Sequence, residues 1–144
     1  MVDVDALDMR ILKLLEEDGR ISFTEIAKKL KLNESTIRKR VLRLQKKRVI
    51  KKFSVDLDPS KIGLKIVAIV GVDVEPVKLI EAAQKISEIP ETRYVATSTG
   101  DHMIMTEIWA KDGRELTNLI SNRIGKIEGI KKICPAIILE KLKG

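Results

Sequence analysis

Apolar residues recur at helical spacing through the first fifty positions, and at strand spacing or in continuous runs after that. Leu7, Ile11, Leu14 and Leu15 stand at i, i+4, i+7 and i+8, one face of an amphipathic helix. Asp5 is its expected N-cap with Asp8 at N3, and Gly19 is expected to end it. Ser22 with Glu25 three residues on reads as a capping box opening a second helix whose inner face is Ile26, Ala27 and Leu30. Asn33 is the expected cap of a third helix with Ile37, Val41 and Leu44 as its buried stripe. Lys31 and Leu32 alone separate the second and third helices, so the two must cross steeply, in a helix-turn-helix. The small side chain of Ala27 suits that crossing. Val49 to Val55 reads as extended chain, a wing or linking strand, and Asp56 to Ser60 as a connector.

The second part alternates element types. A strand over Lys65–Val74 precedes Pro76, which suits the first position of a helix reaching about Ser87. Strands over Thr92–Ser98 and Met103–Ala110 flank a turn at Gly100 and Asp101. Asp112 with Glu115 caps a helix reaching about Lys126, and Gly129 leads into a strand over Ile130–Leu142. The order β-α-β-β-α-β is the ferredoxin-like pattern. The expected fold class is therefore α+β: an N-terminal winged helix-turn-helix domain (1–52), a linking strand or hinge (53–64) and a C-terminal ferredoxin-like sandwich domain (65–144). The first of these strands is apolar at nearly every position, whereas a sheet with helices on one face should alternate. A second copy is the cheapest cover for the other face, giving a two-fold dimer. Pro135 cannot donate a ladder hydrogen bond, so its strand belongs at a sheet edge or carries a bulge.

Charge separates the two parts. Residues 1–52 carry 15 basic and 8 acidic side chains, while residues 53–144 carry 13 of each, so the net charge of +7 resides in the N-terminal part. It is concentrated further: Asn33 to Lys52 holds nine basic residues and one acid, Glu34. Like charges repel, and folding does not require such a concentration, whereas it suits a polyanion partner. The single cysteine, Cys134, excludes an intramolecular disulfide framework and fits a reducing, cytoplasmic setting. No secretory pattern opens the chain. The longest apolar run, Ile66 to Val72, is far short of the roughly 20 residues of a membrane helix, so no membrane partner is expected.

With Ile37, Val41 and Leu44 facing inward, the opposite side of the third helix carries Ser35, Lys39, Leu42, Arg43 and Lys46. Thr36 and Arg40 lie on one shoulder, Arg38 and Gln45 on the other. Short hydroxyls lead and long cations follow, which suits a helix in the major groove of double-stranded DNA. Ser22 and Thr24, at the start of the second helix, join the candidate interface because helix N-termini offer free N–H groups to phosphate. The DNA-binding set is thus Ser22, Thr24, Ser35, Thr36, Arg38, Lys39, Arg40, Arg43 and Lys46. On this face Leu42 either touches a thymine methyl or covers the wing.

Asp18-Gly19-Arg20, Ser22, Glu25-Ile26-Ala27, Leu30, Ser35-Thr36-Ile37, Arg40-Val41-Leu42-Arg43-Leu44 and Val49-Ile50 resemble the Lrp/AsnC (feast/famine) transcription regulators. So do Leu57-Asp58, Ile62-Gly63, Thr99-Gly100-Asp101-His102 and Gly129-Ile130. The resemblance runs in order along nearly the whole chain. It implies a sequence-specific DNA-binding regulator, not an enzyme, built as a homodimer that often assembles into an octamer. It also implies an amino-acid effector bound between subunits near the turn Ser98, Thr99, Gly100, Asp101, His102 and Met103. No other cofactor is expected, and His102 has no second ligand nearby in sequence to complete a metal site.

Three positions depart from the family pattern. Lys31 and Arg48 stand where glycine is usual, and Met103 stands where the effector turn often has an acid. The pocket then prefers an apolar side chain, uses another acid, or is unused. Two other readings compete: an architectural protein that coats DNA with little sequence preference, and a sirohaem decarboxylase-like enzyme. One His, one Cys and one Tyr give the latter no convincing catalytic set.

Overall fold

A computed structural model describes residues 3–144, which divide between Leu57 and Asp58 into two compact units. In the first, α1 (Ala6–Glu17), α2 (Phe23–Leu30) and α3 (Glu34–Lys46) enclose a core of Ile11, Ile26, Ala27, Ile37 and Val41. Asp5 and Asp8 form a reciprocal capping box at the start of α1. At α2 only half of the expected box is present: Ser22 accepts from the Glu25 N–H at 3.1 Å. Asn33 occupies the N-cap of α3 in extended geometry, without the side-chain cap bond expected of it.

Both α2 and α3 end in the same motif. Beyond α2, Leu32 N–H reaches Ala27 O at 2.9 Å and Lys31 N–H reaches Lys28 O at 3.3 Å. Beyond α3, Val49 N–H reaches Leu44 O at 2.9 Å and Arg48 N–H reaches Gln45 O at 3.0 Å. These are Schellman closures, and they put Lys31 (φ 57°) and Arg48 (φ 58°) in the left-handed region. Each non-glycine residue there costs about 1 kcal/mol.

The extended segment expected at 49–55 pairs with no strand, and no strand forms between Lys47 and Asp58. The wing is therefore absent among the described residues. A strand needs a neighbour to satisfy its ladder, and this unit has none to offer. Phe53, Val55 and Leu57 are exposed along it.

The second unit contains β1 (Ile66–Val74), α4 (Leu79–Ser87), β2 (Thr92–Thr97), β3 (Ile104–Ala110), α5 (Gly113–Asn118) and β4 (Ile130–Ile137). The antiparallel sheet has the order β2-β3-β1-β4, the ferredoxin-like arrangement. A 3₁₀ turn at Pro76–Lys78 precedes α4, so the expected helix begins later than its proline. The helix expected from Asp112 to Lys126 is continuous only to Asn118. It then loosens to a π turn over Leu119–Arg123 and tightens to 3₁₀ over Ile124–Lys126. Gly125 permits this, since a Cβ there would lie 2.8 Å from the Ile120 carbonyl oxygen. The last strand stops at Ile137 rather than Leu142. It is an edge strand with β1 as its one neighbour, and Pro135 sits on it as the missing donor requires.

Alternation in β1 is resolved by the register. Ala68, Val70, Val72 and Val74 join Ile104 and Ile108 in a buried cluster with Ala82 and Ile86 of α4 and Leu116 of α5. Val67, Ile69 and Met105 point to the opposite face, where they stay half-buried.

Candidate nucleic-acid interface and effector turn

The side chains of α3 sort into three groups. Ile37, Val41 and Leu44 are fully buried. Ser35, Arg38, Lys39, Leu42, Gln45 and Lys46 are exposed, while Thr36, Arg40 and Arg43 are half-buried. The exposed line is thus rotated toward Arg38 and Gln45 from the face expected by counting around the helix. Leu42 is 57% exposed, and with no wing strand in this unit nothing there covers it.

The rotation has an electrostatic cause. Arg40 pairs with both Asp5 and Asp8, and its bond to Asp8 measures 3.2 Å. Arg43 pairs with Asp8 at 3.1 Å and also donates to the Asp3 carbonyl. Asp8 is fully buried and accepts from both guanidinium groups and from Asp5 N–H. The Arg40 guanidinium, helped by the Asp8 N–H, holds the Asp5 carboxyl below its ordinary value near 3.8. Two of the nine clustered cations are therefore turned toward α1. Asp8 was legible in the sequence as a capping residue, but nothing local signalled its long-range partners.

Glu34 makes a similar arrangement on the surface. It pairs with Arg38 and accepts from the Thr24 hydroxyl at 3.1 Å, bridging α2 and α3. Arg38 first, and Thr24 second, hold its carboxyl below the ordinary value near 4.5. Ser22 is exposed, with its hydroxyl on Glu25 N–H. Among the described residues, Lys39 and Lys46 form no ion pair within 4.0 Å, and they share the exposed line with Ser35.

In the second unit, residues 98–103 form the loop between β2 and β3. Ser98 N–H reaches Met103 O at 2.9 Å, the Ser98 hydroxyl donates to His102 O at 2.7 Å, and Gly100 takes the left-handed conformation at φ 101°. Ser98, Thr99, Gly100 and Asp101 are exposed. Met103 instead packs against the sheet–helix core. His102 lies over Gly71 of β1, so close that a Cβ on Gly71 would sit 2.3 Å from its ring. Its Nδ1 stands 3.2 Å from Asp73 Oδ1. Asp73 is the neighbour of the candidate effector turn that sequence reasoning missed. Its signal was the period of two in β1, which puts Gly71 and Asp73 on the same face, away from the helices.

Among the described residues, no cluster of three or more metal-ligating side chains forms, and no helix is long and apolar enough to cross a membrane.

Comparison with known proteins matches both units. Residues 4–45 match the AsnC-type helix-turn-helix domain, and residues 67–144 match the Lrp/AsnC ligand binding domain. The chain is 51% identical over 140 residues to the HTH-type transcriptional regulator LrpA of Pyrococcus horikoshii, covering 97% of this chain and 99% of that protein. It is 34% identical over 142 residues to the regulator LrpA1 of Halobacterium salinarum, covering 99% of this chain and all (100%) of that one. Its fold superposes with a TM-score of 0.92 on a feast or famine regulatory protein from M. tuberculosis complexed with L-methionine, at 23% identity, covering 99% of this chain and 96% of that one.

Proposed function

The chain belongs to the Lrp/AsnC family of transcription regulators, and from that premise we propose how its own residues read DNA and sense a small molecule. Its α3 lies in the major groove, with Ser35 and Lys39 toward the bases and Lys46 on flanking phosphate. Ser22 and Thr24 approach the backbone from the start of α2. Thr36 lines the shoulder of the helix, and Arg38 reaches phosphate once Glu34 releases it. Arg40 and Arg43 set the roll of α3 against α1 and touch DNA secondarily. The observation that carries this reading is the exposed line of α3, where lysines that form no ion pair among the described residues stand beside a short hydroxyl, in a stretch (Asn33 to Lys52) that holds nine basic residues and one acid.

The second unit binds an amino acid beside the loop Ser98, Thr99, Gly100, Asp101, His102 and Met103. Asp73 supplies the acid that Met103 does not. The regulator from M. tuberculosis holds L-methionine, which supports an amino-acid ligand for this chain. Two copies associate through the helix-free face of the sheet, burying Val67, Ile69 and Met105, and larger assemblies of such dimers follow the family pattern. The dimer then spaces two reading helices by about one DNA turn, roughly 34–36 Å. Effector binding shifts DNA occupancy or assembly by a coupling of about 1–3 kcal/mol. The protein acts in the cytoplasm, by binding rather than by catalysis.

Selection of bound genomic DNA, followed by titration of the selected duplex and a random duplex at one salt concentration, tests the reading. Preference for the selected duplex by about 10³ or more supports it. A ratio near one overturns it in favour of non-specific coating. Repeating the titration with an amino-acid mixture tests the effector.

A further inference from the structure

Lys31 and Arg48 occupy left-handed backbone positions, at φ 57° and φ 58°, immediately beyond the ends of α2 and α3. Glycine takes that conformation without a steric cost, and asparagine takes it more readily than either residue found here. A cation at one such position could be incidental. The same substitution at both closures, bracketing α3 in the charged unit, calls for a cause.

Helix stability does not supply one. Cations favour helix C-termini through the macrodipole. Lys28 and Lys29 already fill that role in the last turn of α2, as do Arg43 and Lys46 in the last turn of α3. Ion pairing does not supply one either. Both side chains are exposed, and among the described residues neither forms an ion pair within 4.0 Å. Each residue therefore keeps a free positive charge at a strained position.

We propose that Lys31 and Arg48 are a pair of phosphate clamps, one beyond each end of the reading helix, that hold α3 in register on duplex DNA at the expense of fold stability. The inference rests on the reading of α3 as the DNA-contacting helix. With 13 residues α3 is about 20 Å long, and the B-DNA major groove is only about 12 Å wide. Cations just beyond its two ends thus reach the flanking sugar-phosphate strands rather than base edges. Phosphate contacts of this kind position a protein and carry no sequence information. Strain retained for a charge is the pattern expected where function and stability compete.

Charge and strain separate by substitution. In the full-length chain, Lys31→Gln and Arg48→Gln remove the charge and keep the left-handed strain. Lys31→Gly and Arg48→Gly remove both. DNA affinity is measured from 50 to 300 mM salt on selected and random duplexes, and stability by urea unfolding. Each of the four variants is expected to lower the slope of log affinity against log salt by about 0.9 and to weaken both duplexes alike. The glycine variants are in addition expected to shift the unfolding equilibrium about five-fold toward the folded state relative to their glutamine counterparts. Salt slopes of the glutamine variants equal to the parent's overturn the proposal, as do glycine variants no more stable than the glutamine ones. A parent protein that binds neither duplex overturns the reading of α3 itself, an outcome distinct from both.

Discussion

Asp8, fully buried at the start of α1, accepts a hydrogen bond from Arg43 of α3 at 3.1 Å across 35 positions of sequence. Arg40 reaches the same carboxylate at 3.2 Å. One acid in the first helix thus holds two cations of the charged helix on the side that faces α1, while Ile37, Val41 and Leu44 fix which side of α3 is buried.

Asp8→Ala should therefore lower stability while raising affinity for random DNA. Breaking a fully buried ion pair costs about 3–5 kcal/mol. Here Arg40 and Arg43 remain 32% and 39% exposed and can rehydrate, so a smaller loss is expected. The two freed guanidinium groups then become available to phosphate. Urea unfolding and a salt-resolved titration on random duplex check both halves; a stable variant with unchanged affinity would show that the pair does neither job. Arg43→Ala is expected to destabilise the same unit rather than act on DNA binding alone, which revises what its place on the helical wheel suggests.

Lys39→Ala should weaken DNA binding and leave folding intact. Lys39 is exposed and, among the described residues, forms no ion pair. Surface substitutions of that kind change stability by less than about 0.5 kcal/mol. A gel-shift titration with unchanged affinity would remove Lys39 from the reading face.

Acid should loosen the helical unit in a defined window. The carboxyls of Asp5 and Glu34 are held below their ordinary values, near 3.8 and 4.5, by Arg40 and Arg38 respectively. A carboxylate whose folded-state value is depressed contributes stability that is fully present above the unfolded value and lost as pH falls through the folded one. The helical unit should hold constant stability from pH 7 down to about 5 and lose it progressively below about 4. Thermal unfolding across that range measures the loss, and a midpoint that is flat down to pH 2 would contradict it.

Gly71→Ala should alter the proposed effector loop, residues 98–103, with little change in the fold. The new Cβ would stand 2.3 Å from the His102 ring, so the ring must leave its place beside Asp73. The expected result is a changed amino-acid response with DNA affinity in the absence of effector retained. Equal responses from parent and variant, in a titration followed by DNA binding, would separate His102 and Asp73 from the effector site.

Local chemistry accounts for what the sequence made legible. The three helices followed from apolar spacing and caps at Asp5 and Ser22, and the β-α-β-β-α-β order from Pro76, Gly100, Asp112 and Gly129. Pro135 pointed to an edge strand because a missing donor is a property of one residue. The wing failed for the complementary reason. Val49 to Val55 reads as extended chain, but a ladder needs a second strand, which no single segment can specify, and this segment pairs with none in its own unit.

By itself, the sequence determined the helical and strand periods, the separation of charge between the two parts and the polymer that such a charge suits. These are properties of residues and their near neighbours. Tertiary structure alone decided that Arg40 and Arg43 face Asp5 and Asp8, and that Asp73 stands beside His102 next to the loop between β2 and β3. Both join residues about thirty positions apart. Such pairings depend on how helices and strands pack, and packing is settled by the whole buried surface rather than by any local run of residues.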